Sequence, residues 1–493
     1  MSRTSVQQLQ QRAAATLVSF APVLEPLSAR FAAAGQELAL VGGPVRDALL
    51  GRLNDDLTDL DLTTSARPEL TLELIDGWAD THWEIGREFG TIGCRKGPYT
   101  IEITTYRADS YDGQTRKPVV AFGDDLEGDL ARRDLTVNAM AVRLPELTFV
   151  DPFDGLADLA GGLLRTPIEP RVSFGDDPLR MMRVARFVSQ LGFDVEPGTR
   201  AAVRELAGRL EIVSAERVRA ELTKLVLGAH PREGLRVLVE TGLCEQVLPE
   251  LPALKLTIDE HHRHKDVYEH TLTVLDQAIA LEPRLRADGI AVPDLVLRLA
   301  ALLHDIGKPA TRRFESGGGV SFHHHEVVGA KLTAKRMKAL RFDKETTAEV
   351  ARLVELHLRF HGYADSRPGA SGWTDSAVRR YVTDAGPLLP RLHLLTRADC
   401  TTRNRRKAER LAAAYDDLEH RISELKDREE LAAIRPDLDG TEIMAVLGIP
   451  PGRVVGRAYQ HLLDLRMEHG PLTRERAEAE LLAWWAEQPE SSR

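Results

Sequence analysis

The sequence is poor in cysteine and aromatic residues and lacks any long apolar run. It has three cysteines among 493 residues, and Cys94, Cys244 and Cys400 are too far apart along the chain for a Cys-x-x-Cys metal site. Such an odd, sparse set excludes a disulfide scaffold and is typical of a reducing compartment, so we expect a cytoplasmic protein. No stretch approaches the roughly 18 uninterrupted apolar residues of a membrane helix, which predicts no membrane partner.

Positive charge is also in the minority, which at first argues against a nucleic-acid partner. Lys and Arg total 65 against 75 for Asp and Glu, a formal charge of -10, whereas binding to phosphate backbones is electrostatic. The objection is weakened because most of the acidic excess lies beyond residue 410. The densest basic cluster precedes it and contains Arg403, Arg405, Arg406 and Lys407. This cluster is either a solvated helix face or a patch that contacts RNA.

Short β-type runs are confined to the first third of the chain. They predict strands at Glu37–Val41, Leu57–Leu62, Thr91–Arg95, Tyr99–Tyr106 and Thr148–Val150. From Pro178 onward the apolar spacing is helical almost to the end. We therefore predict an α+β chain, with a mixed β-sheet head and helices followed by all-α domains. The predicted parts are a helical segment at 1–35, the head at 36–165, a helical neck at 166–248, a helical domain at 249–410 and a helical tail at 411–493.

A glycine turn follows the first predicted strand. The apolar run that ends at Val41 leads into Gly42, Gly43 and Pro44. Proline suits the first turn of a helix, and Gly51 is placed to end that helix. Two glycines before a helix N-terminus let backbone N–H groups approach a phosphate. An ordinary strand-turn-helix would look the same, so this signal is weak by itself.

Three acidic residues on two predicted strands form a more specific signal. Side chains alternate along a strand, so Asp59 and Asp61 project from one face while Leu60 enters the core. Further along, Glu102 lies between two isoleucines and points away from the core in the same way. Adjacent carboxylates repel unless a cation lies between them, and Mg²⁺ prefers oxygen ligands. These residues predict a two-metal site for phosphoryl transfer.

The same segment resembles the class II tRNA nucleotidyltransferase/poly(A) polymerase family. The resemblance rests on the glycine turn through Arg46 and Asp47, on the Asp59/Asp61 pair, and on the motif Arg132 to Ala141. It continues through Asp151-Pro152-Phe153-Asp154-Gly155, Asp176-Asp177-Pro178-Leu179-Arg180 and Glu216-Arg217-Val218, in the expected order over roughly 36–225. One departure is that Asp176 stands where the family usually has Glu.

The resemblance implies an activity, substrates and further site residues. Such enzymes add C, C and A to tRNA 3′ ends, using CTP and ATP with Mg²⁺ and no nucleic-acid template. The polar segment from Arg107 to Leu126 matches a flexible loop that the family needs for terminal A addition, which favours full CCA or A-only activity. The residues expected to bind nucleotide are Gly42, Gly43, Arg46, Arg133, Asp134, Asn138, Asp177, Arg180, Arg183 and Arg186.

Asp177 and Arg180 have two interpretations. Their spacing places them on one helix face, where an acceptor and a fork of donors address the Watson–Crick edge of cytosine or adenine. Without the resemblance, a capping Asp followed by a surface Arg is the simpler interpretation. In the family, the matching pair selects the incoming base, and this favours the first interpretation.

Histidines are concentrated between residues 261 and 361. A nearly all-apolar predicted helix, Leu295 to Leu303, ends at His304 and Asp305, a pair that is costly to bury unless it is paired or metal-bound. Three further predicted helices supply more donors. Together the set predicts a centre for Mn, Fe, Ni, Co or Zn, with His270, His304, Asp305, His325, His357 and Asp399 as ligands.

The spacing of these ligands resembles the HD phosphohydrolase superfamily over about 262–402. This resemblance makes 249–410 an HD domain, in which a metal-bound water attacks a phosphate ester. In some bacterial CCA-adding enzymes such a domain is a phosphatase or a 2′,3′-cyclic phosphodiesterase. The alternative is that the domain has no activity of its own and only supports bound tRNA.

Three alternatives to a CCA-adding enzyme remain open. A poly(A) polymerase or A-adding enzyme of the same family would incorporate ATP without CTP. A phosphohydrolase with a nucleotide-sensing head would be expected to lose the acidic residues of the head, yet none is missing. A noncatalytic tRNA-binding protein would bind tRNA without transferring label from CTP.

Overall fold

The structure is a computed structural model of the chain. It describes residues 6–52, 59–107, 122–123, 125–256, 266–314, 320–360, 363, 373–402, 404–429 and 435–488. The chain divides into two units, Met1–Pro252 and Ala253–Arg493. Most of the predicted loop between Arg107 and Leu126, together with Arg403, lies outside the described residues.

The first unit contains a seven-stranded mixed sheet. Its strands are β1 (Leu38–Val41), β2 (Asp59–Thr64), β3 (Thr81–Trp83), β4 (Thr91–Lys96), β5 (Tyr99–Thr105), β6 (Ala141–Leu144) and β7 (Thr148–Val150). The order is β3-β4-β5-β2-β1-β6-β7. Only β2 and β5 pair in parallel, and the other neighbours are antiparallel. The predicted α+β class with a mixed-sheet head is therefore confirmed.

Two strands of this sheet were not predicted. β3 has three residues, and two of its side chains are exposed, so it carries no apolar alternation. β6 begins at Ala141, the last residue of the motif, and it pairs with β1. Pairing with distant strands, more than local pattern, determines both elements.

Helices make up the rest of the first unit. Their bounds are Val6–Val18, Ala21–Ala33, Gly43–Leu50, Pro68–Ile75, Leu126–Ala131, Gly155–Gly161, Pro170–Asp176, Leu179–Leu191, Pro197–Leu206, Ala215–Val226, Pro231–Glu240 and Leu243–Val247, with 3₁₀ turns at Arg87–Phe89, Thr136–Asn138 and Ala207–Ile212. Pro44 lies in the first turn of the helix Gly43–Leu50, and Gly51 ends it in a left-handed conformation, as predicted. A two-residue parallel pair joins Leu163–Leu164 (β8), at the end of the predicted head, to Asp194–Val195 (β9) in the predicted helical neck.

The second unit is almost entirely helical. Its helices are Val267–Leu281, Pro283–Ala287, Leu295–Leu303, Lys308–Thr311, His325–Ala339, Lys344–Leu356, Asp375–Ala385, Leu389–Asp399, Arg405–Glu429, Gly440–Leu447, Arg453–His469 and Arg474–Glu487. A short 3₁₀ helix, Pro252–Leu256, lies where the two units adjoin in sequence, and another occupies Gly386–Leu388. The strands Arg313–Phe314 (β10) and Val320–Ser321 (β11) form a small antiparallel pair that departs from the all-helical prediction.

Two of the helices that position the predicted histidine ligands, Val267–Leu281 and Leu295–Leu303, begin with side-chain caps. The carboxylate of Asp266 accepts a hydrogen bond from the Tyr268 N–H, and that of Asp294 accepts one from the Leu297 N–H. Such caps satisfy N–H groups that have no partner within the helix. Leu295–Leu303 is buried along nearly its whole length, which places the residues that follow it inside the unit. None of the described helices combines the length and the apolarity needed to span a membrane.

Candidate active site and metal centre

The three predicted acidic residues of the head meet on one face of the sheet. Asp61 in β2 stands opposite Glu102 in the parallel strand β5. Asp59, Asp61 and Glu102 are exposed, while Leu60 and the isoleucines beside Glu102 are buried, as the predicted alternation requires. Their catalytic role stays a prediction.

Electrostatics mark these carboxylates as a site that favours cations. Loss of water around the carboxylate raises the pKa of Asp61, the neighbouring Asp59 raises it further, and Arg133 opposes both. The pKa of Glu102 is raised by the same loss of water and then by Asp61 and Asp59. Carboxylates that raise one another's pKa lose this mutual repulsion when a divalent cation lies between them. The donor set therefore fits Mg²⁺.

The glycine turn lies against this acidic group. Gly42 has a φ of 73° and a ψ of -132°, a backbone conformation that residues other than glycine rarely adopt. A Cβ at Gly42 would lie 3.1 Å from Nη1 of Arg133 and 3.9 Å from Oδ2 of Asp61. Gly43 then begins the helix. The turn thus brings backbone, a guanidinium group and a carboxylate together, as phosphate binding beside a metal site requires.

A buried carboxylate that the sequence analysis missed holds Arg133 in place. Asp129 is fully buried and accepts hydrogen bonds from Arg132, from Arg133 at 3.2 Å and from the Thr63 hydroxyl at 3.2 Å. Burial alone would raise the pKa of Asp129, but the two guanidinium groups outweigh burial and lower it. The spacing i,i+3 and i,i+4 to the two arginines was the available signal.

A second hydrogen-bonded chain joins the predicted nucleotide-binding residues of the head and neck. Nη1 of Arg46 donates a hydrogen bond to the side-chain Oδ1 of Asn138 at 2.7 Å, and the side-chain Nδ2 of Asn138 donates one to Oδ1 of Asp134 at 3.0 Å. Nη2 of Arg183 lies 2.6 Å from the Asp134 carboxylate. Burial would raise the pKa of Asp134, but Arg183 and Asn138 lower it well below its usual range. The structure thus brings four predicted residues together.

Three arginines of this region surround one aromatic ring. The guanidinium carbons of Arg46, Arg183 and Arg186 lie 5.1, 5.8 and 4.1 Å from the centre of the Phe187 ring. Burial, and then Arg183, lower the pKa of Arg186 to about 10, while Glu221, 3.2 Å from its Nε, opposes them. This cluster concentrates positive charge beside Asp134.

The structure does not bring Asp177 and Arg180 together as a pair. Arg180 is buried and donates to the Ser173 hydroxyl at 2.9 Å and to the backbone carbonyl of Arg132. Asp177 instead lies 2.8 Å from Nη2 of Arg217 and accepts a hydrogen bond from the Leu179 N–H. Asp177 precedes the helix Leu179–Leu191, so the predicted shared helix face is not observed.

The six predicted ligands of the second unit converge on one buried centre. They form two groups of three, one of His270, His304 and Asp399, the other of Asp305, His325 and His357. Within each group, one possible ligand atom of each residue lies within 4.8 Å of those of the other two. His304 and Asp305 directly follow the buried helix Leu295–Leu303, His357 follows Lys344–Leu356, and Asp399 ends Leu389–Asp399. Four histidines and two carboxylates fit a transition metal or Zn²⁺.

Hydrogen bonds orient the histidine rings toward this centre. Nδ1 of His304, His325 and His357 lies 2.8, 2.8 and 2.6 Å from the backbone carbonyl oxygen three residues earlier, which accepts a hydrogen bond. Each Nε2 is therefore the atom that faces the centre, a pattern typical of metal-binding histidines. Nε2 of His325 and Nε2 of His357 are buried without a hydrogen-bond partner.

The charges of this centre also suit a cation. Burial lowers the pKa of His357 to about 3, so its ring is neutral and available as a ligand. Burial would lower the pKa of His304 too, but Asp305 and Asp399 outweigh it and raise that pKa to about 10. Nζ of Lys308 also lies 2.9 Å from Asp305. The two carboxylates thus attract positive charge into a site lined by imidazole nitrogens.

The basic cluster lies at the start of the long helix Arg405–Glu429. Arg405, Arg406 and Lys407 are exposed there, and Arg405 is paired with Glu409 at 2.8 Å. This position is equally that of a solvated helix face, so the RNA-binding role of these residues stays a prediction.

Comparison with protein families matches three segments of the chain. Residues 38–165 match the poly A polymerase head domain, residues 192–254 match a probable RNA and SrmB-binding site of polymerase A, and residues 267–404 match the HD domain.

Two known relatives match the chain over at least 90% of its length. An A-adding tRNA nucleotidyltransferase of Deinococcus radiodurans is 34% identical over 92% of this chain and 96% of its own length. A CC-adding tRNA nucleotidyltransferase of Thermus thermophilus is 33% identical over 90% and 93%. A CCA-adding enzyme of Lacticaseibacillus paracasei is 42% identical, over 44% of this chain and 53% of its own length.

Solved structures share the fold. That of the Bacillus stearothermophilus CCA-adding enzyme in complex with CTP has a TM-score of 0.65 at 23% identity, over 95% of this chain and 98% of that one. That of the Thermotoga maritima CCA-adding enzyme complexed with tRNA has a TM-score of 0.60 at 18% identity, over 96% and 98%.

The head, its acidic face and these matches define a nucleotidyltransferase joined to an HD domain. With full-length relatives above 30% identity, the chain belongs to the tRNA nucleotidyltransferase/poly(A) polymerase family. The family and enzyme class predicted from the sequence are confirmed.

Proposed function

We propose that this nucleotidyltransferase adds CCA to the 3′ end of tRNA from CTP and ATP, without a nucleic-acid template. The observation that carries the proposal is the acidic face of the head, where Asp61 and Glu102 stand opposite one another beside Gly42 and Arg133. The named relatives support tRNA as the substrate, because they add A, CC or CCA.

The acidic face accounts for nucleotidyl transfer. The tRNA 3′-hydroxyl attacks the α-phosphorus of CTP or ATP, the bond between the α- and β-phosphates breaks, and pyrophosphate leaves. Asp59, Asp61 and Glu102 would hold divalent cations, which when bound lower the pKa of the hydroxyl and neutralise the developing charge. Arg133, which donates a hydrogen bond to Asp129, is proposed to bind the phosphates of the incoming nucleotide.

Base selection falls to the neck. Asp177 and Arg180 remain our proposed base-reading residues, and Arg180 addresses a base once it exchanges its bond to Ser173 for one to the nucleotide. The cluster of Arg46, Arg183 and Arg186 with Asn138 and Asp134 lies along the same region and is proposed to hold the remaining triphosphate and ribose.

The test supplies three tRNAs, ending at the discriminator base, at C and at CC, each with labelled CTP and ATP. We expect all three to be completed to CCA and the Asp61→Asn variant to add nothing. Asp76→Asn is a control, since that acid lies outside the acidic face at the end of the helix Pro68–Ile75. The proposal of full CCA addition is overturned if the wild-type protein leaves even one of the three tRNAs unextended.

The same assay separates the alternatives within the family. Addition of A to the CC end alone identifies an A-adding enzyme, and addition of two C residues alone identifies a CC-adding enzyme. Repeated incorporation of ATP without CTP identifies a poly(A) polymerase. Binding of tRNA without any transfer identifies a noncatalytic tRNA-binding protein.

The metal centre of the second unit supports a second function, hydrolysis of phosphate esters. This proposal rests on Nε2 of His325 and Nε2 of His357, which are buried in the centre without a hydrogen-bond partner. A metal ion held there would supply a nucleophilic water at neutral pH. Release of phosphate from a phosphomonoester, and ring opening of a 2′,3′-cyclic nucleotide, would be measured with Mn²⁺, Co²⁺, Ni²⁺ or Zn²⁺. Equal rates for wild type and His357→Ala would exclude this function.

Two further expectations complete the proposal. The exposed Arg405, Arg406 and Lys407 are proposed to contact tRNA, and their replacement by Ala should weaken tRNA binding more at low than at high salt. A cytoplasmic location follows from the substrate and the sparse cysteines. Fractionation of cells that produce the protein checks this.

A further inference from the structure

One row of paired residues crosses the sheet from its edge to the acidic face. Trp83 in β3 stands opposite Gly93 in β4, Gly93 opposite Glu102 in β5, and Glu102 opposite Asp61 in β2. Residues directly opposite one another in neighbouring strands project from the same face of a sheet. Trp83 and Gly93 therefore belong to the face that carries the acidic residues.

The glycine in this row makes room for the indole ring. A Cβ at Gly93 would lie 2.0 Å from Nε1 and 2.1 Å from Cε2 of Trp83. The ring therefore lies directly on the backbone of Gly93, one strand spacing of about 4.8 Å from the strand of Glu102. Trp83 remains partly exposed in this position. Among the described residues, no other aromatic ring stacks on it.

The direction of the reaction places the RNA on this side. Gly42 and Arg133, which would bind the phosphates, lie at the β1 side of the acidic face, whereas Trp83 lies beyond β5 on the other side. In nucleotidyl transfer the attacking oxygen and the leaving oxygen are roughly in line through the phosphorus. If pyrophosphate leaves toward Gly42, the 3′-hydroxyl arrives from the side of β5 and β4.

A cation accompanies the aromatic ring there. Arg95 lies two residues beyond Gly93 in β4, so it projects from the same face, and its side chain is exposed. The described part of the chain provides no ion-pair partner for it. A basic group beside an aromatic ring is typical of sites for single-stranded nucleic acid, where bases stack on the ring and the cation binds the backbone.

We propose that Trp83 is a stacking platform for the terminal base of the RNA strand that is being extended, with Arg95 binding a phosphate of that strand. The inference rests on the proposed function and adds a residue that positions the attacking end. A platform of this kind suits the reaction, because the terminal base changes from the discriminator to C and then to C again. Stacking accepts every base, since each has a π-face.

The test measures CTP incorporation into tRNA ending at the discriminator base, with Trp83→Ala, Trp83→Phe and Trp83→Leu. Loss of base stacking should raise the KM for tRNA about 5- to 100-fold in the Ala variant. The KM for CTP should stay near its wild-type value, and Phe should restore most of the tRNA affinity. Leu fills the space over Gly93 without a ring, so it should behave like Ala if stacking matters. Ile85→Ala, at a neighbouring side chain that is 89% exposed, is the control.

A second substrate isolates the stacking contact. A tRNA whose 3′-terminal nucleotide lacks its base should be extended equally by wild type and Trp83→Ala, because the contact is already absent. The proposal is overturned if Trp83→Leu binds intact tRNA as wild type does, or if Trp83→Ala loses as much on the abasic tRNA as on the intact one. A wild-type protein that extends no tRNA would instead refute the proposed function itself.

Discussion

Gly42→Ala tests whether the glycine turn positions Arg133 at the acidic face. The change adds one methyl group at a residue with φ 73° and ψ -132°. Gly386 has nearly the same backbone conformation, with φ 51° and ψ -132°. A Cβ at Gly42 would lie 3.1 Å from Nη1 of Arg133, whereas a Cβ at Gly386 would meet nothing within 4 Å. The two substitutions therefore share backbone strain and differ in the displacement of Arg133.

The magnitudes follow from that comparison. A non-glycine residue in such a sparsely populated conformation costs about 1–3 kcal/mol, so both variants should lose this much free energy of unfolding. At Gly42 the guanidinium group must also shift by a few tenths of an ångström against its bond to Asp129. Because small misplacements near the chemistry reduce rates strongly, we expect kcat/KM for CTP to fall about tenfold or more.

Thermal unfolding and steady-state incorporation of CTP into tRNA provide the two measurements. We expect similar decreases in Tm for Gly42→Ala and Gly386→Ala, and a loss of kcat/KM confined to Gly42→Ala. If the two variants lose activity equally, the loss reflects stability alone, and the turn does not position Arg133. A Gly42→Ala protein that keeps the wild-type kcat/KM for CTP would also refute a role of the glycine turn in phosphate binding.

Three further outcomes are expected. Asp129→Asn should lower the free energy of unfolding at pH 7 by about 3–5 kcal/mol, because two guanidinium groups lose a buried partner. Folding lowers the pKa of Asp129. Its contribution to the free energy of unfolding is therefore fully present above about pH 3.8 and is lost as the pH falls through the pKa of the folded state. The difference in the free energy of unfolding between wild type and Asp129→Asn should become smaller at low pH. His325→Ala should abolish binding of Co²⁺ or Ni²⁺ by calorimetry while the exposed His323→Ala does not, and chelation should lower Tm only in proteins that retain bound metal. Arg217→Ala should raise the KM for CTP and ATP with little change in kcat, because the Asp177 carboxylate loses the guanidinium group that orients it. An unchanged KM would argue against a role of this Asp177–Arg217 pair in nucleotide binding.

Much of the fold followed from local pattern. The alternation around Leu60 predicted which side chains of β2 enter the core, and Pro44 and Gly51 predicted where the first helix after the turn begins and ends. The apolar run Leu295–Leu303 predicted a buried helix with its bounds. By contrast, β3 and β6 depend on partners far away in the sequence, and neither carries a strong local signal.

The candidate sites were predictable to different degrees. All six residues of the candidate metal centre were named from the sequence. The adjacent His304 and Asp305 at the end of an apolar helix gave the first signal, because such a pair is costly to bury unless it is paired or metal-bound. The mix of imidazole and carboxylate donors gave the rest. The inward orientation of Arg180, its bond to Ser173 and the pairing of Asp177 with Arg217 were not predicted. Each depends on a contact between separate helices of the neck.

The amino-acid sequence by itself determined the chemical groups of this protein: three acidic residues on strand faces, a glycine turn before a helix, and a histidine–aspartate set on apolar helices. Only the tertiary structure decided that Glu102 stands opposite Asp61, that Asp129 holds Arg133, and that Trp83 joins the same row across Gly93. The physical reason is that side-chain alternation is local, whereas strand register is set by hydrogen bonds and packing between segments far apart in the chain.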